Sequence, residues 1–96
     1  MLSRSGTLTL RGLMDRVEQA AEGLRLLENA IVAELGEHPE GLYNSEIARA
    51  LELESDHLGR QDNYLTYSVL GGLLKAGRVT IEKRDNRNYY QAVQAA

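Results

Sequence analysis

Three cations crowd one short stretch of this chain: Lys83, Arg84 and Arg87 flank Asp85-Asn86. Asp and Asn tolerate the left-handed backbone that tight hairpins need, so residues 84–87 read as a turn. Cations on a turn stand away from any core, where they can grip phosphates or enter a narrow minor groove. The plainer use of the same residues is a solvated turn. Upstream, Tyr64, Tyr67, Ser68, Gly71 and Lys75 recur at helical spacing, opposite Leu65, Val69, Leu70, Leu73 and Ala76. Hydroxyls can bond phosphates or base edges, and a phenol ring can pack on a sugar or a thymine methyl. The alternative is that one Tyr folds over the preceding loop as a lid on the core. Arg60, just before this segment, is a further candidate for backbone contact.

Other chemistry finds little support. Cysteine is absent, which excludes disulfides, thiolate metal sites and a Cys nucleophile. His38 and His57 each neighbour an acid, Glu37 and Asp56, but a metal needs three or four convergent ligands. No Gly-rich phosphate loop, Ser/His/Asp set or paired-carboxylate site can be assembled. No catalytic residue, cofactor or metal is therefore expected. No run is long and apolar enough for a transmembrane span or a signal-peptide core, and a cytoplasmic location is expected.

The elements that must position the candidate residues follow from periodicity. At 96 residues the chain is one domain, or one domain plus an extension, with 43% apolar residues for one small core. From Leu10 the apolar residues step by three and four: Leu10, Leu13, Val17, Ala20, Leu24, Leu27 and Ile31. That is a heptad stripe and predicts a helix, with Thr7 or Thr9 as its cap and residues 1–6 as a frayed tail. Gly23 is a point where it could divide in two. Gly36 suits a helix end, with Pro39 beyond it. Asn44 and Ser45 open a second helix, with Ile47, Ala48 and Leu51 as its apolar edge. Residues 54–62 read as a long loop. A third helix covers about 63–76 and is closed by Gly77. Val79 to Lys83 alternates as a strand, and Asn88 to Val93 returns. Ile31, Ile47, Leu51, Val69 and Leu73 are expected to be buried together.

Charge divides along the same lines. The chain carries 11 basic and 14 acidic residues, a formal net charge of -3. Residues 1–37 hold four basic against six acidic residues, and residues 38–57 hold one against five. Residues 58–96 reverse the balance, with six basic against three acidic. An acidic protein can still present a basic face to a polyanion, because the local field governs docking.

The order helix, helix, helix, hairpin resembles the winged helix-turn-helix arrangement. Leu35-Gly36-Glu37-His38-Pro39-Glu40-Gly41 followed by Ser45-Glu46-Ile47-Ala48 is similar to the passage from first to second helix in bacterial winged-helix regulators. Val69-Leu70, Leu73-Leu74 and Gly77-Arg78-Val79 resemble the end of a recognition helix entering a wing, and Arg84 to Tyr90 resembles the wing. The loop of about nine residues between the second and third helices is longer than the usual three or four. The resemblance implies a mainly α winged-helix domain over 26–96, preceded by a helical extension over 1–25. It implies double-stranded DNA as partner, contacted by Arg60, Tyr64, Tyr67, Ser68, Lys75, Lys83, Arg84 and Arg87. The stripe Leu10, Leu13, Val17, Ala20 and Leu24 lies outside the minimal domain. It either pairs two protomers into a dimeric transcriptional regulator or folds back on its own domain. Two other functions fit the same residues: a winged-helix module for protein–protein assembly, and a DNA-targeting accessory module of a restriction or phage-defence system.

Overall fold

The computed structural model, which describes residues 2–54, 56–57 and 61–93 and the side chains of 15–54 and 63–93, begins with one uninterrupted helix. Helix α1 runs Leu2–Gly36, 35 residues or about 52 Å. Three expectations are corrected here. The helix starts well before Leu10, so residues 2–6 are helical and Thr7 and Thr9 lie inside it. Gly23 does not divide it. A lone Gly costs a helix about 1 kcal/mol, and the good helix formers on both sides of Gly23, with the Arg25–Glu22 ion pair, outweigh that.

Residues 15–26 of α1 are exposed throughout, and burial begins at Leu27. Ile31 and Leu35, one turn apart, are fully buried. Gly36 ends the helix without adopting a positive φ. The chain then turns through Glu37–Glu40, with His38 N–H bonded to the Leu35 carbonyl and Gly41 N–H to the His38 carbonyl. The left-handed glycine is Gly41, at φ +91°. A Cβ there would stand 3.0 Å from the Arg84 guanidinium and 3.2 Å from the Tyr90 carbonyl, so only glycine lets the hairpin close on this loop.

Strand β1 (Leu42–Tyr43) leads directly into helix α2 (Asn44–Ala50). The residue capping α2 is Tyr43, whose N–H donates to the Glu46 carboxylate at 3.1 Å, rather than Asn44 or Ser45. Those two instead tie the second helix to the third. Asn44 Nδ2 donates to the Asn63 carbonyl, and Asn63 Nδ2 to Ser45 Oγ. The expected loop over 54–62 contains a short antiparallel pair, β2 (Asp56–His57) and β3 (Gln61–Asp62). Asn63, left-handed at φ 58° and buried, then starts helix α3 (Tyr64–Lys75). Gly77 at φ +76° closes it, with Gly77 N–H bonded to the Leu74 carbonyl and Arg78 N–H to that of Leu73.

Strands β4 (Val79–Arg84) and β5 (Arg87–Ala92) form a hairpin with Arg84 opposite Arg87. Asp85 and Asn86, at φ 51° and 63°, are both left-handed, which gives the mirror-image turn whose twist suits a two-residue loop. The sheet order is β1-β5-β4, all antiparallel, with Leu42 opposite Tyr90 and Tyr43 opposite Tyr89. Among the described residues the protein is mainly helical, with three helices, a three-stranded antiparallel sheet and the separate β2–β3 pair. Its core joins Ile31 and Leu35 of α1, Ile47 of α2, Val69, Leu70 and Leu73 of α3, and Leu42, Val79 and Tyr90 of the sheet. Leu51 packs against this cluster from its edge, half-buried. Leu65, expected on the buried side of α3, is exposed.

Candidate nucleic-acid interface

The register of the hairpin sorts its side chains between two faces. Val79, Ile81 and Lys83 of β4 pair with Ala92, Tyr90 and Asn88 of β5, and these six share the face that packs toward the core and α3. Thr80, Glu82 and Arg84 pair with Gln91, Tyr89 and Arg87, and share the other. The three hairpin cations are therefore not brought together. Lys83 stands on the side of α3, and Arg84 and Arg87 on the side turned away from it.

Helix α3 buries Thr66, Val69, Leu70 and Leu73 and exposes Tyr64, Tyr67, Ser68, Gly71 and Lys75. The hairpin leans beside this exposed face and leaves a groove of about 260 Å³ between them. Tyr64, Tyr67, Ser68, Gly71 and Leu74 form one wall, and Ile81, Asn88 and Tyr90 the other. Burial, with the nearby Tyr67 phenol adding to it, pushes the Tyr90 phenol above its ordinary pKa. Beyond their own stretch of helix, nothing lies within 4 Å of a Cβ placed on Gly71 or Gly72, so the backbone of α3 is bare there.

The electrostatics of the groove differ from the rest of the chain. Helix α3 contains no acidic residue, and neither does the face of the hairpin turned to it. The 14 acids lie elsewhere. Two cations, Lys75 on the helix and Lys83 on the hairpin, are exposed on these same two surfaces.

The opposite face of the hairpin is built differently. The Arg84 guanidinium lies 4.1 Å over the Tyr89 ring, and that of Arg87 lies 4.1 Å over the Tyr43 ring. The two rings meet edge to face at 5.6 Å. Arg84 is also latched to the chain. Its Nη2 donates to the Glu40 carbonyl, and its Nε lies 3.5 Å from the Glu82 carboxylate. Gln91 Nε2 donates to the Pro39 carbonyl at 3.2 Å. The loop after α1 thus holds the hairpin by two backbone carbonyls. Arg84 was expected as a free cation at the tip; it is half-buried and engaged, while Arg87 is exposed.

Arg60 and the side chains of Leu10 and Leu13 lie outside the described residues. Val17, Ala20 and Leu24 are exposed, Val17 at 63% and Leu24 at 49%. Four groove residues escaped the sequence analysis: Leu74, Ile81, Asn88 and Tyr90. Strand parity could have found the last three, since they alternate with Lys83 across the turn at Asp85-Asn86. Among the described residues no helix is long and apolar enough to cross a membrane. Comparison with protein-family models, with curated proteins and with solved structures finds no match to this chain.

Proposed function

We propose that this chain is a winged helix-turn-helix protein that binds double-stranded DNA as a homodimer and acts as a cytoplasmic transcriptional regulator. The observation that carries this reading is the acid-free surface formed by α3 and the near face of the hairpin, flanked by Lys75 and Lys83 in a chain of net charge -3. The pairing of β1 with β5, which ties the hairpin to the start of α2, supports the winged-helix topology. In this reading α3 enters the major groove, with Tyr67 and Ser68 facing base edges, while Lys75, Lys83 and Arg87 contact phosphates. Arg84 keeps the wing in position. The exposed stripe of α1 with Val17 and Leu24 pairs with the same stripe of a second copy, so that a two-fold protein meets a two-fold site.

A second reading, a winged helix used for protein–protein assembly, is favoured by the exposed Tyr64, Tyr67, Leu74 and Ile81 around the groove. Duplex binding at two salt concentrations separates the two. A dimer neutralising about six phosphates gives a log–log salt slope of about -5. Absence of duplex binding at about 50 mM salt overturns the DNA reading and leaves the assembly reading.

A further inference from the structure

The groove wall is largely apolar and phenolic. Tyr67, Leu74 and Ile81 surround the bare backbone at Gly71. Hydrogen-bonding groups for a base edge are few: the Tyr and Ser hydroxyls and the Asn88 amide. Among the described residues no Arg, Lys or Gln lines the groove, which leaves Asn88 as its one side chain able to make a bidentate contact to a base, and that to adenine. In the major groove the one apolar feature of a base pair is the C5 methyl of thymine. We infer that this groove reads DNA through thymine methyl groups, seated in the notch at Gly71 between Tyr67, Leu74 and Ile81.

This inference rests on the DNA-binding reading and deepens it. The charge pattern fixes the class of occupant: an acid-free surface flanked by Lys75 and Lys83 complements a polyanion, while the apolar floor between them needs an apolar group on that polyanion. Duplex DNA supplies both, phosphates at the rim and methyls within the groove. Gly71 is the discriminating position. A methyl side chain there meets, beyond its own stretch of helix, no described atom within 4 Å, so the helix accepts it, but it fills the space the thymine methyl would take. Gly72 is equally open and does not line the groove, which makes it the control.

The test measures binding of the full chain, by fluorescence anisotropy at about 50 mM salt, to four alternating duplexes. These are dA·dT, its deoxyuridine counterpart, dG·dC, and its 5-methylcytosine counterpart. Burying one methyl changes affinity roughly fourfold, so thymine is expected to bind at least that much tighter than deoxyuridine, and 5-methylcytosine tighter than cytosine. Gly71→Ala is expected to abolish both preferences, and Gly72→Ala to retain them. Equal binding of the thymine and deoxyuridine duplexes overturns the inference and leaves the DNA reading standing. So does a preference that survives Gly71→Ala or is lost in Gly72→Ala. Absence of binding to every duplex overturns the DNA reading itself, and this inference with it.

Discussion

Lys83 and Arg84 are adjacent in sequence and lie on opposite faces of the hairpin, Lys83 beside α3 and Arg84 stacked on Tyr89 and bound to the Glu40 carbonyl. One cation is offered to solvent on the groove side, and the other anchors a strand. The two substitutions are therefore expected to separate. Arg84→Ala removes a charged hydrogen bond and a ring contact and should destabilise the fold by about 1 kcal/mol. Lys83→Ala should change stability by less than about 0.5 kcal/mol and weaken duplex binding instead. Denaturant unfolding of the two variants checks this, and equal losses contradict the split.

Core packing makes a second prediction. Ile31 and Leu73 are fully buried in one cluster contributed by α1 and α3. Truncating either to Ala should cost about 2–5 kcal/mol. A loss below about 1 kcal/mol at Ile31 would mean that α1 contributes little to the core.

Much of this was legible beforehand, and the failures have physical causes. The 3.6-residue period placed Ile31, Ile47, Val69 and Leu73 in the core, and Asp85-Asn86 located the turn. Strand β1 was missed because two residues carry no periodicity, and its pairing with β5 is non-local. The anchoring of Arg84 was invisible because its acceptor is a backbone carbonyl 44 residues away, and a carbonyl leaves no mark on sequence. Gly23 misled because propensity is summed over a helix, and one Gly in a 35-residue run is outvoted.

His38 sets a pH dependence. Its Nδ1 lies 3.3 Å from a Glu40 carboxylate oxygen and its Nε2 lies 3.2 Å from one of Glu34. Ionised carboxylates only accept, so both nitrogens donate only as imidazolium. The Glu40 hydrogen bond raises the His38 pKa above 6.5; desolvation is the next largest effect and opposes it, and the Glu34 hydrogen bond adds to the rise. Its contribution to stability is full below 6.5 and is lost as pH rises through the raised value. Glu40 is held below 4.5, first by its own backbone N–H and then by His38. Its contribution is present above 4.5 and is lost as pH falls through the lowered value. The melting-temperature gap between wild type and His38→Gln should thus be widest between 4.5 and 6.5 and narrow on either side. A gap independent of pH contradicts the clasp.

Gly72→Ala should stabilise the protein by about 1 kcal/mol, since the site is exposed, helical and free of neighbours within 4 Å. A destabilised variant in thermal unfolding would reveal a contact at this position.

Self-association through α1 predicts a dimeric mass by light scattering at micromolar concentration, and a melting temperature that rises with concentration. Val17→Asp combined with Leu24→Asp should give a folded monomer. A monomeric wild type contradicts the pairing.

The unbroken course of α1 has a mechanical consequence. An α-helix advances about 1.5 Å and rotates about 100° with every residue, so a rod without a joint transmits azimuth as well as distance. The exposed stretch 15–26 and the buried turn at Ile31–Leu35 are geared to one another through that rotation. Inserting four residues between Leu24 and Leu27 would move one end about 6 Å and swing it about 40°. Inserting seven would lengthen the rod by about 10.5 Å with a swing of only about 20°. A body clamped to the free end of α1 thereby fixes the compass bearing of α3, and a seven-residue insertion is the spacing that leaves that bearing nearly unchanged.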